Sequence, residues 1–382
     1  MKGTLYCGDI VLAGQTLEIL EKGAVFVEQG RIVAVDRQAA FVGLDADTCS
    51  YPALVPGFID CHDHLALDAE IEGWAARVAD PESEHMLRAM SIMRKDLYAG
   101  VTTARCPGDK YFVDVVCRRA QREGLLEGPR LVIGTRGIKA SHAHGLVGYA
   151  IDGVEPRRAF VRENLKAGAD FLKLFITDTV WTPRQICYPM YEEIAVVIDE
   201  AHRVGKPVAA HCTGGPGFDI CLDAGLDVFE HGYFMSAEQV DRLIDADKWL
   251  DITATPIMSD YYGCQCEARQ AEAFRNSREE LEKSMRLAIA KGAKYALGSD
   301  GLHGLLCNDM AYLVDFGASP LQALRAATIQ GARLCGLEAE TGSLEAGKCA
   351  DIVGLGGNPV QNIGAAADVR LVVQEGRVVR KS

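Results

Sequence analysis

The feature that most constrains the fold of this chain is an alternation of short apolar runs with amphipathic stretches through its middle. Residues 155–167, 191–204 and 319–334 repeat apolar residues at three- and four-residue spacing, which predicts helices. Gly205 and Pro207 predict where the second of these helices ends. The runs that predict strands are ALVPGFIDCH, GVTTARC, PRLVIGTRGI, ADFLKLFIT, KPVAAHC, LDVFEHGYF, WLDITATPI and AKYALGSD. Strands that alternate with helices indicate an α/β fold with a parallel sheet.

The number of strand–helix units narrows the fold class. Eight units over about 290 residues suit a (β/α)8 TIM barrel. The alternative is an open doubly wound sheet, but no GxGxxG motif follows the first strand. We therefore predict a barrel over residues 54–341.

The two ends of the chain have a different pattern. Residues 4–53 contain short strand-like runs, and Glu28-Gln29-Gly30 separates two of them as a hairpin turn would. Residues 350–380 contain ADIVGL and RLVVQEGRVVR, and the second run is interrupted by Glu-Gly. We predict that residues 1–53 and 342–382 pair in space and form a small β-sandwich domain.

Charge and apolar patterning exclude some partners. The chain has 382 residues and a net charge of −13, whereas a nucleic-acid-binding protein needs a basic surface. No apolar run approaches the roughly 20 residues that span a bilayer. The first residues lack the pattern of a secretory signal. We therefore expect a small-molecule substrate and neither a nucleic-acid nor a membrane partner.

The cysteines point to a reducing compartment. Their number, 13, is odd, and they are scattered through predicted strands and helices rather than arranged as a disulfide framework. Cys264 and Cys266 form a CxC pair without a second pair at zinc-finger spacing, so reduced thiols are favoured there. We expect a cytoplasmic protein, and a homo-oligomer.

Polar residues fall where predicted barrel strands end, and barrel active sites lie at the carboxyl ends of the strands. The first predicted strand ends in His62-Asp63-His64. Side chains two apart on a strand share a face, so both imidazoles could bind one metal. The residues in similar positions on later strands are Lys173, His211, His231 and Asp300. Buried polar groups cost free energy unless they are paired or ligated.

Each of these residues alone has an ordinary explanation. A single histidine at a strand end is more often a core residue with a satisfied hydrogen bond than a metal ligand, and a buried lysine could form an ion pair. Four histidines, an aspartate and a lysine at successive strand ends of one barrel are hard to explain as core packing. The joint set therefore predicts a metal site.

At this point the sequence resembles the amidohydrolase superfamily, over nearly its whole length. PGFIDCHDHL is similar to the first-strand motif of that family, and GADFLKLF resembles the fourth-strand lysine motif of its prolidase-like branch. VAAHCTGG, DVFEHG and LGSD are similar to the motifs of the fifth, sixth and eighth strands. TGSLEAGKCADIVGLGGNP resembles the return of the chain into the β-sandwich.

The resemblance implies two divalent metal ions, with zinc expected from the imidazole and carboxylate ligands. His62, His64 and Asp300 would hold the more buried ion. His211 and His231 would hold the second. Lys173 would bridge the two as a carboxylated lysine, because an unmodified ammonium is a poor metal ligand whereas its carbamate is an anion with two oxygens.

The resemblance also implies a reaction, the hydrolysis of an amide C–N bond in a cyclic amide or an N-acyl or peptide-like molecule. The metals would activate water. Asp300 would take the proton of the water and pass it to the leaving nitrogen. His144, which precedes a glycine after the third strand, would contact the substrate carbonyl or carboxylate.

Other substrate contacts are open. His142, Tyr233 and Arg136 are candidates, but a loop hydrogen bond explains His142 and a surface ion pair explains Arg136 equally well. For His85, His202 and His303 we favour structural roles, His202 because it lies near a helix C-terminus, which suits a histidine.

One departure from the branch affects the substrate rather than the metals. The branch commonly has a threonine and two glycines after the lysine strand, whereas residues 176–181 here are ITDTVW. The alternatives are therefore a metallodipeptidase or carboxypeptidase, a ring deaminase with one metal, and a metal-free scaffold that has lost its chemistry. No ligand of the set is missing, which speaks against the scaffold.

Overall fold

The structure is a computed structural model that describes residues 3–71, 73–182, 184–263 and 267–381. Cys264 and Cys266 lie outside these residues. The chain begins with five strands, β1 (Thr4–Ala13), β2 (Glu18–Glu21), β3 (Gly23–Glu28), β4 (Arg31–Arg37) and β5 (Asp47–Pro56). Gln29 and Gly30 form the turn between β3 and β4, both with positive φ, which confirms the predicted hairpin.

The middle of the chain alternates strands with helices. Its strands are β6 (Phe58–Asp60), β7 (Val101–Cys106), β8 (Arg130–Ile133), β9 (Ile138–Lys139), β10 (Tyr149–Ala150), β11 (Leu172–Phe175), β12 (Val208–Gly214), β13 (Val228–Phe234), β14 (Trp249–Ile252) and β15 (Lys294–Leu297). Its helices are α1 (Trp74–Arg77), α2 (Glu82–Tyr98), α3 (Val113–Arg122), α4 (Val154–Ala167), α5 (Tyr191–His202), α6 (Gly215–Asp223), α7 (Ala237–Asp245), α8 (Thr255–Met258), α9 (Asp260–Gly263), α10 (Ala268–Lys291), α11 (Leu306–Asp315), α12 (Pro320–Arg325) and α13 (Gly331–Leu334). Each of the eight predicted apolar runs contains a strand.

The chain ends with three strands, β16 (Ile352–Leu355), β17 (Val369–Gln374) and β18 (Arg377–Lys381). The turn between β17 and β18 is Glu375-Gly376, as predicted. These strands join the first five in one sheet, in the order β18-β17-β16-β5-β1-β3-β4, with β2 paired to β1. The two ends of the chain thus pair, but the described strands form a single sheet, and a β-sandwich is not confirmed.

The strands of the middle region pair in parallel in two sheets. One has the order β6-β7-β8, and the other has the order β10-β9-β11-β12-β13-β14-β15. Backbone hydrogen bonds join their edges, among them one from Cys61 N to the Leu297 carbonyl (2.9 Å) and one from Asp170 N to the Ile133 carbonyl (2.8 Å). The parallel α/β architecture is confirmed, whereas the described strands do not pair around a continuous closed barrel.

The predicted helices agree with the structure to different degrees. Helix α4 covers the first prediction, and α5 ends at His202, with Gly205 at positive φ just beyond it. The third prediction, residues 319–334, contains three pieces: α12, a π-helical turn at Ala326–Gln330 and α13.

The largest core cluster spans both the sheets and the surrounding helices of the middle region. A separate cluster that includes Tyr6, Val25, Leu54 and Leu371 packs within the end sheet. Among the described helices, none is both long and apolar enough to cross a bilayer.

Candidate metal site and active site

The histidines of the HxH motif lie just beyond β6 rather than on it, which differs from the prediction. The Asp60 carboxylate fixes this segment, because it accepts hydrogen bonds from the backbone N–H of His62 (3.0 Å) and Ser299 (3.1 Å). The segment is thereby tied to the loop after β15, which carries Asp300. The turn, and not the pleat of a strand, brings the two imidazoles together with ring centroids 5.1 Å apart.

Hydrogen bonds set which ring nitrogen of each histidine is free. His62 Nδ1 lies 2.8 Å from Glu230 Oε2, and His64 Nδ1 lies 2.9 Å from the Gly108 carbonyl oxygen. Both partners are acceptors, so each Nδ1 carries the proton and each Nε2 keeps its lone pair. The two Nε2 atoms lie 3.5 and 3.6 Å from Asp300 Oδ1. Two imidazole nitrogens and one carboxylate oxygen therefore converge as a candidate metal-ligand group.

A second set of histidines lies beside the first. The ring centroids of His211, on β12, and His231, on β13, are 4.5 Å apart, and His231 lies 4.9 Å from His62. His231 Nδ1 is 2.7 Å from the hydroxyl of Thr253, and His211 Nε2 is 3.4 Å from the Asp178 carbonyl oxygen. One nitrogen of each ring is thus left for a ligand.

Burial keeps these imidazoles neutral. It lowers the pKa of His64, His211 and His231 well below the usual value, and the neighbouring imidazoles and Lys173 lower it further. A neutral imidazole has the lone pair that a metal needs. His231 and Asp300 also have positive φ, of 76° and 53°. Such conformations are uncommon for residues other than glycine and cluster at functional sites.

Lys173 lies on β11 and is fully buried beside these histidines. Its Nζ has no hydrogen-bond partner among the described residues and lies 5.3 Å from the centre of the Phe175 ring. Burial lowers the pKa of Lys173 to about 8, although Glu230 and Asp300 oppose that change. A buried, unpartnered amine beside candidate metal ligands fits an amine that is modified to an anion.

The sequence did not predict the ion pair that supports His62. Arg105 Nη1 on β7 donates to Glu230 Oε1 (2.8 Å) and to the Cys61 carbonyl (2.9 Å), and its guanidinium lies 3.9 Å from the centre of the Phe171 ring. Burial raises the pKa of Glu230, but the charges of Arg105 and Lys173 and the hydrogen bond from His62 outweigh burial and hold the pKa well below its usual value. Glu230 is therefore an anion that orients His62.

The histidines form the floor of a cavity. Its lining residues are His62, His64, Leu67, Ala69, Trp74, His144, Gly145, Leu146, Val147, Phe175, Thr179, His211, His231, Tyr233, Pro256, Ile257, Gln270, Phe274, Asp300 and Leu302. His144 Nε2 lies 2.8 Å from the Thr179 hydroxyl. The Tyr233 hydroxyl donates to the Thr253 carbonyl oxygen (2.6 Å). Both residues face the cavity, as a substrate contact must.

Two predicted substrate contacts are not among the residues that line the cavity. Arg136 donates to Glu163 (2.8 Å) and Asn164 (3.1 Å), and its guanidinium packs on aromatic rings that include Phe160. His142 lies against Tyr188, with ring centroids 5.3 Å apart. The structure therefore does not bring these two residues to the metal-ligand groups.

The remaining histidines have structural partners. His303 is buried between Asp63 (3.0 Å) and Asp96 (3.1 Å), whose carboxylates outweigh the effect of burial and raise its pKa well above the usual value. His202 pairs with Asp227, and His85 lies 3.3 Å from the Val78 carbonyl oxygen. None of the three lines the cavity.

Comparison with known proteins decides the family. The model of the amidohydrolase family matches residues 53–379. This chain belongs to the amidohydrolase family. It is a hydrolase that acts on C–N bonds, and members of this family generally bind divalent metals. The matched region contains every residue of the two histidine sets, Lys173 and Asp300.

The names of individual relatives indicate different substrates. The chain is 40% identical to an imidazolonepropionase of Symbiobacterium thermophilum over 95% of this chain and 93% of that protein. It is 25% identical to an ochratoxinase of Aspergillus niger over 87% of this chain and 78% of that protein. A crystal structure of a Xaa-Pro dipeptidase with bound methionine matches with a TM-score of 0.86, 23% identity and coverage of 99% and 100% of the two chains. That last likeness shows the fold alone.

Proposed function

We propose that this protein hydrolyses an amide C–N bond in a small cyclic amide or an N-acyl or peptide-like molecule with the help of two divalent metal ions. The observation that carries the proposal is the convergence of His62 Nε2, His64 Nε2 and Asp300 Oδ1 beside two further neutral histidines at the floor of one cavity. The family and its C–N hydrolase relatives support the same reaction type.

The proposed metal ligands follow from these contacts. His62, His64 and Asp300 would hold one ion, and His211 and His231 would hold the second. Lys173 would bridge them as a carbamate, which supplies a partner for a side chain that otherwise has none. Imidazole and carboxylate ligands suit zinc.

The residues of the site would then have separate tasks. When bound, divalent metals lower the pKa of water and polarise a carbonyl group. The Asp300 carboxylate would accept the proton of the attacking water at Oδ1 or Oδ2 and return it to the leaving nitrogen. Glu230 would keep His62 in one tautomer. His144 would form a hydrogen bond with the substrate beside the scissile bond, as donor or as acceptor. The apolar walls would exclude bulk water.

A single-metal hydrolase is the second candidate. His62, His64 and Asp300 already form a ligand group whose atoms lie within 4.8 Å of one another, whereas His211 and His231 belong to no such group in the described residues. A relative at 27% identity over 90% of this chain is a 5-methylthioadenosine/S-adenosylhomocysteine deaminase of Symbiobacterium thermophilum. In this alternative, Lys173 would be an ion-pair partner of Glu230 and Asp300.

The finer organisation of the chain is part of the same proposal. The hydrogen bonds between the edges of the two parallel sheets support a (β/α)8 barrel formed by residues 54–341. The shared sheet supports a second domain formed by residues 1–53 and 342–382. The proposed site would then lie at the carboxyl ends of the barrel strands.

The test is hydrolysis of a panel of cyclic amides, N-acyl amino acids and dipeptides. We expect a chelator to abolish turnover and added zinc to restore it. Asp300→Asn should lower kcat by about 100- to 10,000-fold because it removes the proton acceptor. Asp245→Asn, at an exposed position at the end of α7, is the matched control. Full turnover by metal-depleted protein, or by Asp300→Asn, would refute the mechanism.

A further inference from the structure

A second group of buried charged side chains lies beside the HxH turn. It consists of Asp63 in the turn itself, Asp96 on α2 and His303 in the loop after β15. All three side chains are buried, and none of them is among the residues that line the cavity. Burial of charged groups costs free energy unless they are paired, and the proposed reaction does not account for this group.

His303 joins three separate parts of the chain. Its Nδ1 lies 3.0 Å from Asp63 Oδ1 and 3.1 Å from Asp96 Oδ2. Its Nε2 lies 2.8 Å from the carbonyl oxygen of Leu67, and the N–H of the neighbouring Gly304 donates to Asp96 Oδ1 (2.6 Å). Both ring nitrogens thus face acceptors, which favours an imidazolium that donates from each nitrogen.

Asp63 depends on His303 more than Asp96 does. Within the part of the chain that the structure describes, His303 is the one ion-pair partner of Asp63, and no other group donates to either carboxylate oxygen. The ligand atoms of Asp63 and Asp96 lie within 4.8 Å of each other. Without His303, two buried carboxylates would face each other without a counter-charge, which is strongly unfavourable. Asp63 would then have to move or take up a proton, and either change breaks the contact.

This contact links the two halves of the first candidate ligand group. Asp63 lies between His62 and His64, and His303 lies three residues after Asp300 in the same loop. A backbone hydrogen bond from Asp300 N to the His62 carbonyl oxygen (2.7 Å) already joins the turn to the loop. The ion pair between Asp63 and His303 is a second link at the same junction, and it is made by side chains alone.

We propose that His303 is a positioning residue for the first metal ion. Its ion pair with Asp63 would hold the imidazoles of His62 and His64 at the distance from Asp300 that a bound metal needs. This inference rests on the proposed function, because it assumes that these ligands bind a metal. His303 itself would contact neither the metal nor the substrate.

The test measures zinc affinity by competition with a chromogenic chelator, so it needs no substrate. His303→Gln keeps a polar side chain but cannot place donors at both ends, and it should weaken zinc binding by about tenfold, the lower end of the range for residues that support a metal ligand. Asp63→Ala should have the same effect. Because the two residues act through one contact, the double variant should also lose about tenfold rather than about 100-fold.

A cobalt spectrum gives a readout that a loss of stability alone would not change. Zinc has a filled d shell, whereas the visible absorption of bound Co²⁺ depends on its coordination geometry. We expect this spectrum to change in His303→Gln and in Asp63→Ala. His202→Gln is the matched control, because it removes another pair between a histidine and a carboxylate, that with Asp227, and it should leave both zinc affinity and the spectrum unchanged.

The outcomes separate this inference from the proposed function. Wild-type zinc affinity in both folded single variants, an additive loss in the double variant, or an unchanged cobalt spectrum would each overturn the positioning role. If circular dichroism shows that His303→Gln does not fold, Asp63→Ala decides by the same criteria. Weaker zinc binding in the variants, with no hydrolysis of any amide by the wild type, would support the positioning role and contradict the proposed function. A wild-type chain that binds no zinc would overturn both.

Discussion

At the scale of single residues, the site depends on a buried chain of contacts behind His62. Arg105 donates a hydrogen bond to Glu230, and Glu230 accepts a hydrogen bond from the Nδ1–H of His62. Such partners fix the tautomer and direction of a metal-binding imidazole, and their loss typically weakens metal affinity by 10- to 100-fold. Glu230 is thus a positioning residue that acts through His62.

Glu230→Gln should therefore weaken zinc binding by about 10- to 100-fold, because the neutral amide no longer holds both Arg105 and His62 in the same way. Competition with a chromogenic chelator measures this affinity directly. Glu238→Gln, exposed on α7, is the control. Thermal unfolding of the metal-free variant separates loss of metal affinity from loss of the fold. Wild-type zinc affinity in a folded Glu230→Gln protein would contradict the positioning role.

Sequence reasoning predicted the histidines, Lys173 and Asp300 from their positions at successive strand ends and from the resemblance to the amidohydrolase superfamily. The histidines and Lys173 are buried as expected, whereas the Asp300 side chain is 27% exposed.

Sequence reasoning missed Glu230 and Arg105 as a pair, since the two are 125 positions apart and each alone could be an ordinary charge at the end of a strand. The sequence did contain a signal for each charge. Glu230 interrupts an apolar strand directly before the candidate ligand His231, and Arg105 interrupts the apolar strand β7, which pairs with β6. Sequence reasoning predicted Arg136 as a possible substrate contact, but the structure gives that side chain another partner.

At the scale of elements, the loop after β15 and the segment after β6 must approach closely to assemble the first ligand group. A Cβ atom added at Gly298 would lie 2.2 Å from His62 Cβ and 2.6 Å from His62 N. No side chain fits between these two backbones. Glycine at position 298 therefore allows His62 and Asp300 to face each other.

Gly298→Ala should destabilise the fold by about 1–3 kcal/mol through overpacking and should displace His62 from Asp300. We expect lower metal content together with a lower melting temperature. Gly357→Ala, in the C-terminal segment after β16, is the matched control, because its added Cβ would meet only the Ala365 Cβ, at the longer distance of 3.3 Å. Normal metal content and stability in Gly298→Ala would show that the backbone tolerates separation at this point.

Local sequence patterns predicted the strands and most helices, but they did not predict where a helix is interrupted. Apolar spacing predicts a helix over residues 319–334, and the structure places a π-helical turn in its middle, where the Thr328 hydroxyl donates to the Leu324 carbonyl (2.6 Å). Gly331 packs closely against Ile59 of β6 just after this turn. The π-helical turn is thus accompanied by contacts with β6, a strand far away in the sequence. The spacing of apolar residues within the helix does not encode such contacts.

At the scale of the whole molecule, ion pairs that include the buried Asp351 connect the sheet formed by both chain ends to the middle region. Arg130, at the start of β8, donates to Asp351 (3.0 Å) and Glu375 (2.8 Å), and Asp351 is 2% exposed. The Thr341 hydroxyl also donates to Asp351 (2.8 Å). These contacts lie outside the cavity, so we expect them to stabilise the junction between the end sheet and the middle region and to take no part in catalysis.

Arg130→Met should lower the free energy of unfolding by about 2 kcal/mol, because it leaves the buried Asp351 carboxylate with fewer partners. This loss is smaller than that expected for a fully buried ion pair, because Arg130 is partly exposed to solvent. Chemical denaturation measures the loss, and kcat should stay unchanged. Arg122→Met, at an exposed position of α3, is the control. A wild-type unfolding free energy in Arg130→Met would show that the pair does not stabilise the junction.

The β-sandwich, the cytoplasmic location and the homo-oligomer stay predictions of the sequence. Pairing of the two chain ends followed from similar strand patterns at both termini, whereas the order of the eight strands did not, because strand order depends on contacts between residues far apart in the chain. The charge of −13 constrains partners and contains no information on assembly.

Metal content tests the central claim most directly. Elemental analysis of the purified chain should find about two divalent ions per molecule, since the two proposed ligand sets and the proposed Lys173 carbamate would hold them. Lys173→Ala should keep about one ion and lose most activity, because the bridge is gone. Well under one ion per fully active molecule, or two ions and full activity in Lys173→Ala, would contradict the proposed metal site.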